Sequence, residues 1–450
     1  MKDLTQGSVV KHLLHMAAFM TVSMLMQTLY LLADLYWVGR LGREAIAAVG
    51  VAGNLTMIVM AITQTLGVGT TALLAQAAGR KDQPHAERTF NQSIVMSLIA
   101  GLAFVAVGFL LRDASCHALS ADAETAQLAK EYLNWFIPSL ALQFPLVTLG
   151  SALRATGIIK PAVGLQVLSV VLNIVLAPLF IFGAGPLPPM GVSGAALATF
   201  ISILIADLLM VAYFQRYYQY LRFRAPLWRP QFAVWWSMLK VGLPAGAEFA
   251  LWTVYALLVY VVIRPFGAAA QAGFGIGMRV MQAMFLPVVA LSFAVGPVVG
   301  QNFGGRHADR VRHAVMAALG LASGLMVVLT IVTWLCAPAM MQPFSADAEV
   351  IAFGAEYLTI VSLNFLASGI TFSSSSIFQG LGNTIPPLLS TASRLVLFAL
   401  PALWLASRAN FQIRQVWYLS VASQIVQAVL ILLLLRRELG AKLRFANVAA

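Results

Sequence analysis

Asp34 places a carboxylate in an otherwise apolar stretch, and Gln27, Tyr30 and Asp34 follow i, i+3, i+7 spacing. In a helix the three share one face, a polar stripe of amide, phenol and carboxylate that can hold a proton or small cation and hydrogen-bond a polar solute. The bland alternative is an acid that reaches an aqueous boundary and pairs with Arg40 or Arg43. Four more ionisable residues interrupt apolar runs: Asp207, Glu248, Arg279 and Arg394. If those runs lie in lipid, each charge costs roughly 2.5–3.5 kcal/mol on insertion scales and points to function by default. Arg216 is placed to neutralise Asp207. Glu248 and Arg279 sit at similar depth in consecutive segments, so they suit a buried pair, structural or functional, which Arg394 either joins or leaves for the interface.

Other polar positions have ready structural explanations. Asn173 precedes the helix-perturbing Pro178 in an apolar run, and a lone amide there often only bonds a neighbouring helix. The run Ser373–Ser376 lets helices approach closely, and Tyr132 reads as an interfacial aromatic anchor. The six histidines fall at loops or helix ends without a His/Glu cluster, so no metal site is expected. The two cysteines, Cys116 and Cys336, make no disulfide framework. There is no phosphate-binding glycine loop and no nucleophile elbow, which leaves a nucleotide-driven pump or a hydrolase without support.

The elements that must position these residues follow from composition. Of 450 residues 60% are hydrophobic and only 44 are charged, against about a quarter in soluble proteins. A spanning helix needs about 20 apolar residues, and the chain divides into twelve such spans near 10–39, 46–78, 90–111, 126–152, 160–184, 191–215, 235–265, 270–300, 310–337, 350–378, 386–407 and 412–435. The first is too long for a signal-peptide core and is expected to remain in the mature protein. The net charge of +12 would suit nucleic acid in a soluble chain. Here 19 of the 28 basic residues collect on the side holding both termini and the even-to-odd connections, which marks that side as cytoplasmic and makes the charge an insertion signal. No nucleic-acid partner is expected.

The chain also repeats itself at an offset of 225 residues. Ser120-Ala121-Asp122-Ala123-Glu124 recurs as Ser345-Ala346-Asp347-Ala348-Glu349, and Gly42, Gln76, Gly157 and Pro161 recur as Gly267, Gln301, Gly382 and Pro386. Six spans per copy is an even number, so the copies insert with the same orientation, related by a pseudo-two-fold axis along the membrane normal. The expected fold is an all-α polytopic membrane protein with 12 transmembrane helices in two six-helix lobes. The expected boundaries are an N-terminal lobe at 1–216, an Arg-rich cytoplasmic linker at 217–232 and a C-terminal lobe at 233–450.

The run SMLMQTLYLLADLYWVGRLG from Ser23 to Gly42 resembles the first-helix signature of the multidrug and toxic compound extrusion (MATE) transporters. Gly79-Arg80-Lys81, the turn Arg154-Ala155-Thr156-Gly157 and the segment Gly191 to Thr199 are similar to the same family, and the likeness covers essentially the whole chain. It implies two lobes around a central cleft and export of cationic amphipathic small molecules in exchange for inward H+ or Na+. In branches that use the first lobe, the coupling acid maps to Asp34, with Asn173, Tyr30 and Tyr132 beside it. Gln27, Thr28, Tyr30, Asp34 and Thr199 map to the substrate path. Three features depart from the pattern. A proline common fifteen residues before the acid is Phe19, a second acid after the helix-5 Asn is Ala177, and the branch using acids in helices 7 and 10 is matched only by the displaced Glu248 and the peripheral Glu356.

The expected protein is therefore an H+-coupled antiporter with no cofactor, a monomer in the plasma membrane (the bacterial inner membrane) with both termini cytoplasmic. Sodium coupling is the alternative, with Asp34, Asn173 and Thr199 as oxygen ligands, although a single acid makes a weaker cation cage than two. A lipid-linked-precursor flippase of the same superfamily would need basic residues in its cleft, for which only Arg279 and Arg394 are available. Glu248, Arg279 and Arg394 are expected to form a charge network in the second lobe.

Overall fold

The computed structural model describes residues 1–120, 122–183, 188–408 and 411–444. Ala121 of the first repeated pentapeptide and residue 184, the expected end of the fifth span, lie outside them. Among the described residues all regular structure is helical. The order is α1 (Val9–Gly39), α2 (Arg43–Gly79), α3 (Gln83–Leu119), α4 (Ala123–Ala155), α5 (Lys160–Phe182), α6 (Gly191–Arg216), α7 (Phe232–Ile263), α8 (Ala268–Gly304), α9 (Ala308–Met341), α10 (Ala348–Val361), α11 (Asn364–Leu381), α12 (Ile385–Ala406) and α13 (Ile413–Lys442). Eleven of these are long and apolar enough to cross a membrane, and α10 with α11, bent by 57° at their junction, makes a twelfth span.

Helix starts follow local capping chemistry. The repeated pentapeptide supplies an N-cap in both copies. The Asp122 carboxylate accepts from the Thr125 N–H at 2.7 Å at the start of α4, and Asp347 accepts from the Glu349 N–H at 2.9 Å at the start of α10. The third helix begins at Gln83 rather than 90, because Asp82 accepts from the His85 N–H at 3.1 Å and Pro84 preorganises the first turn. The tenth span, expected to be continuous, breaks at Ser362–Leu363 although neither residue is Gly or Pro. The Thr330 hydroxyl of α9 donates to the Ser362 carbonyl at 3.1 Å, so an acceptor freed by the break is answered inside the protein, as an apolar surround requires.

The described chain forms two compact units. Unit 1 comprises Met1–Asp3 and Phe19–Gly246; unit 2 comprises Leu4–Ala18 and the described residues from Ala247 onward. Both α1 and α7 therefore contribute one end to each unit. In unit 1, α4 packs against α2, α3 and α6. The first part of α7 lies so close to α2 that a Cβ on Gly69 would fall 2.5 Å from the Met238 carbonyl oxygen, small-residue packing of the kind membrane helices use. In unit 2, α8 packs against α9, α10 and α11, and a Cβ on Gly380 would come 2.7 Å from the Gly296 carbonyl.

The segment between α6 and α7, expected as a linker, is fastened to α3 of unit 1. Asn91 and Gln92 are fully buried, and their amides are consumed by this segment. Asn91 donates to the Arg222 carbonyl at 2.9 Å and accepts from the Arg224 N–H at 2.9 Å and the Trp228 indole at 3.0 Å. Gln92 donates to the Leu227 and Arg229 carbonyls at 2.6 and 2.8 Å and accepts from the Gln231 N–H at 2.9 Å and the Trp235 indole at 2.8 Å. Glu87 adds an ion pair to Arg224 at 2.5 Å. These polar residues explain why α3 starts earlier than its apolar stretch. Replacing Gln92 with Leu strands buried donors and acceptors, each worth about 1–3 kcal/mol when unanswered. The variant is expected to unfold at lower temperature in detergent and to be cut faster by trypsin after Arg222 and Arg224; unchanged melting and cleavage would contradict the fastening role.

Candidate functional site

Four helices of unit 1 bring together most of the first-lobe residues singled out above. Asp34 and Tyr30 stand one turn apart on α1, Tyr132 on α4, Asn173 on α5 and Thr199 on α6. Thr199 Oγ1 is the hub. It lies 3.0 Å from the Tyr30 hydroxyl, accepts from Asn173 Nδ2 at 3.1 Å and faces its own α6 carbonyl at Ala195, 3.2 Å away. Asp34, 7% exposed, lies within electrostatic reach of both Tyr30 and Tyr132. Its Oδ1 is buried with no hydrogen-bond partner among the described residues, as is Asn173 Oδ1. The site thus presents two unanswered oxygen acceptors, one anionic, in a frame stiffened by the Tyr30–Thr199–Asn173 bonds. Unpaired buried charge is costly, so a proton or a cation at Asp34 relieves what the protein leaves open.

The structure decides several readings that the sequence leaves open. The interfacial pairing of Asp34 with Arg40 or Arg43 does not occur. Arg40 bonds the Tyr36 hydroxyl and lies over the Tyr36 and Trp37 rings, at 4.8 and 5.4 Å, and Arg43 pairs with Glu44 at 2.5 Å. Tyr132 is a core residue rather than an interfacial anchor; it is 2% exposed, with its ring 4.8 Å from that of Phe136. Gln27 and Thr28 stay outside the bonded cluster. Both are exposed, and the Thr28 hydroxyl donates back to the Met24 carbonyl at 3.1 Å. Ala177 is fully buried one turn beyond Asn173, so Asp34 is the only acid among these positions. Asp207 is buried but not neutralised by Arg216, which is exposed, and both Asp207 oxygens lack partners among the described residues.

In unit 2 the expected Glu248–Arg279 pair is absent among the described residues. Arg279 is exposed, and hydroxyls answer the carboxylate instead. Ser375 donates to Glu248 Oε2 at 2.8 Å and Thr391 to Oε1 at 3.4 Å, while Gln427 donates to Thr391 at 3.0 Å. Arg394 does not join Glu248. It lies over the Tyr255 ring at 4.4 Å and the Trp252 ring at 5.4 Å, a cation–π arrangement that leaves its Nε without a partner among the described residues. The network of three charges is therefore two separate arrangements plus an exposed arginine. Thr391, Gln427, Trp252 and Tyr255 were not singled out by sequence, and Ser375 only as part of the serine run expected to let helices pack closely. The one available signal was Thr391 and Arg394 at i, i+3 on α12, which puts a hydroxyl and a cation on one face.

Comparison with known proteins agrees with this architecture. The MatE family model matches residues 20–179 and again 244–405, two stretches offset by 224 residues at their starts and 226 at their ends. The multidrug export protein MepA of Staphylococcus haemolyticus is 27% identical over 380 residues, covering 84% of this chain and 82% of its own. An FAD transporter of Shewanella oneidensis is 25% identical over 377 residues, covering 84% and 83%. The solved outward-facing structure of a multidrug resistance MATE family transporter of the MOP superfamily superposes with a TM-score of 0.89 at 26% identity, covering 98% of both chains.

The hub position of Thr199 makes a testable ranking. Tyr30→Phe removes one hydrogen bond, worth about 1 kcal/mol, whereas Thr199→Val leaves the Tyr30 hydroxyl and the Asn173 amide unanswered at about 1–3 kcal/mol. In thermal unfolding of the purified proteins Thr199→Val is expected to be the less stable variant; equal melting would contradict the shared-oxygen arrangement.

Proposed function

The chain belongs to the MatE family, whose members are transporters, multidrug exporters among them, and not enzymes, and from that premise we propose that it exports cationic amphipathic small molecules in exchange for protons, with Asp34 as the coupling carboxylate. The observation that carries this reading is Asp34 Oδ1, buried and without a hydrogen-bond partner among the described residues. A proton on Asp34 removes its charge; its loss leaves an anion that favours a cationic solute. Occupancy by one or the other changes the relative stability of the inward- and outward-facing states, which is how a ligand moves such an equilibrium. Exchange of one proton for one monovalent cation moves no net charge, so the membrane potential cancels and the pH difference is the drive, about 1.4 kcal/mol per pH unit. Tyr30, Thr199, Asn173 and Tyr132 hold the site's geometry, while Gln27 and Thr28, exposed on the same helix, are assigned to the solute's path. The proposal includes a monomer in the bacterial plasma membrane with both termini in the cytoplasm.

Sodium in place of the proton is a second reading, favoured by one feature. Asn173 Oδ1 is a free, neutral oxygen bonded through its amide to the Tyr30–Thr199 pair, and a sodium ion takes such oxygen ligands. A single carboxylate makes that cage weak, and the proton is the better fit.

Asp34→Asn is expected to reach the membrane at wild-type levels and to lose efflux. Undiminished efflux would remove Asp34 from the coupling role. Purified protein in vesicles, given a pH gradient and no Na+, is expected to move a fluorescent organic cation; movement that appears only on adding Na+ would replace the proton by sodium.

A further inference from the structure

In unit 2, α9 and α13 each pack against α11, and where α13 finishes, a cavity of about 430 Å³ opens between them. A neighbouring hollow of about 640 Å³ runs along α13, and the two share Arg436 and Gly440. The lining divides by chemistry. Val315, Leu319, Leu432, Leu435 and Leu439 form an apolar wall. Arg312, Arg436, Arg437 and Arg444 line the two hollows and are exposed. The acids nearby are already engaged. Asp309 pairs with Arg312 at 3.3 Å, and Glu438 pairs with Lys442 at 3.1 Å and accepts from Asn383 at 2.8 Å. Arg436, Arg437 and Arg444 have no acidic partner among the described residues. Gly440 sits between them with no atom within 4 Å of the place a Cβ would take, so the floor of the groove is bare backbone.

An apolar wall that ends in unpaired guanidiniums at the end of spanning helices matches an amphiphile with an acyl chain and an anionic head. We propose that this groove binds an anionic glycerophospholipid, its phosphate held by Arg436, Arg437 and Arg444 and its chain lying along the leucine wall of α13. Basic grooves between transmembrane helices take such head groups, and guanidinium forks suit phosphate oxygens. Arginines at this end also bias insertion, but an insertion signal needs neither a cavity nor an open glycine beneath it. The inference rests only on the chain spanning a bilayer and is independent of Asp34 and of the coupling ion.

The test titrates detergent-purified protein with short-chain phosphatidylglycerol, phosphatidylcholine or inorganic phosphate, reading the unfolding temperature and counting bound lipid by native mass spectrometry. Wild type is expected to bind phosphatidylglycerol in preference to phosphatidylcholine. Each arginine near an anionic head is worth about fivefold in affinity, so R436Q/R437Q/R444Q is expected to lose about 100-fold. Gly440→Leu, which fills the floor without changing charge, should lose binding as well. The variant R80Q/R88Q/R216Q, which removes three charges from unit 1, should keep it. The proposal is overturned if R436Q/R437Q/R444Q and Gly440→Leu both bind as wild type does, if R80Q/R88Q/R216Q loses as much, or if inorganic phosphate at equal concentration stabilises the protein as well as the lipid. Should the triple variant fail to fold, Gly440→Leu and the single variant Arg444→Gln carry the same test.

Discussion

Hydrocarbon offers no hydrogen bonds, so polar groups carried below the interface must be answered by other parts of the chain, and much of the detail here is that answer. The Ser362 carbonyl freed at the α10–α11 break meets the Thr330 hydroxyl. Glu248 meets Ser375 and Thr391, and the amides of Asn91 and Gln92 are spent on the backbone that joins α6 to α7. Against this background the unanswered groups stand out. Asp34 Oδ1, Asn173 Oδ1 and both oxygens of Asp207 are buried without partners among the described residues. Ser373 Oγ, Ser374 Oγ, Trp417 Nε1 and Arg394 Nε are open among the described residues too, so what sets Asp34 apart is that the open atom belongs to a carboxylate beside a cluster of further polar side chains.

The two carboxylates illustrate how environment divides one chemistry into two roles. Glu248 has a hydroxyl on each oxygen, so its surroundings are set by α11 and α12, and displacing it would break bonds on both. Asp34 has neighbouring phenols but an open Oδ1, so it can exchange one small occupant for another without dismantling its frame. That frame turns on Thr199, whose single oxygen ties α1 and α5 to α6.

The fold was legible because its signals are local or additive. Apolar runs long enough to span lipid placed the helices, and the repeated pentapeptide, found as a pattern, proved to be a capping device in both copies. Where reading failed, tertiary partners were the cause. The start of α3 was hidden because the polar stretch 83–89 looks like loop until Asp82 caps it and Arg224 answers Glu87. The break after Val361 was hidden because it depends on a threonine on another helix. Asp34, Tyr30, Asn173, Thr199 and Tyr132 were identified from spacing and resemblance, but Tyr132 was read by default as an anchor, since nothing local distinguishes a core tyrosine from an interfacial one.

Charge pairing was the least legible feature, for the same reason. Depth along a helix is encoded in residue number, at 1.5 Å per residue, whereas the direction a side chain faces depends on which helices surround it. Glu248 and Arg279 lie at similar depth yet do not meet, and Arg394 faces the Trp252 and Tyr255 rings rather than a carboxylate. The sequence by itself determined that this chain lies in a membrane, how many times it crosses and that it is built twice over, because these follow from composition, period and repetition. Only the tertiary structure decided which buried groups are answered and which stay open, because a hydrogen bond between helices is set by packing geometry that no single stretch of sequence contains.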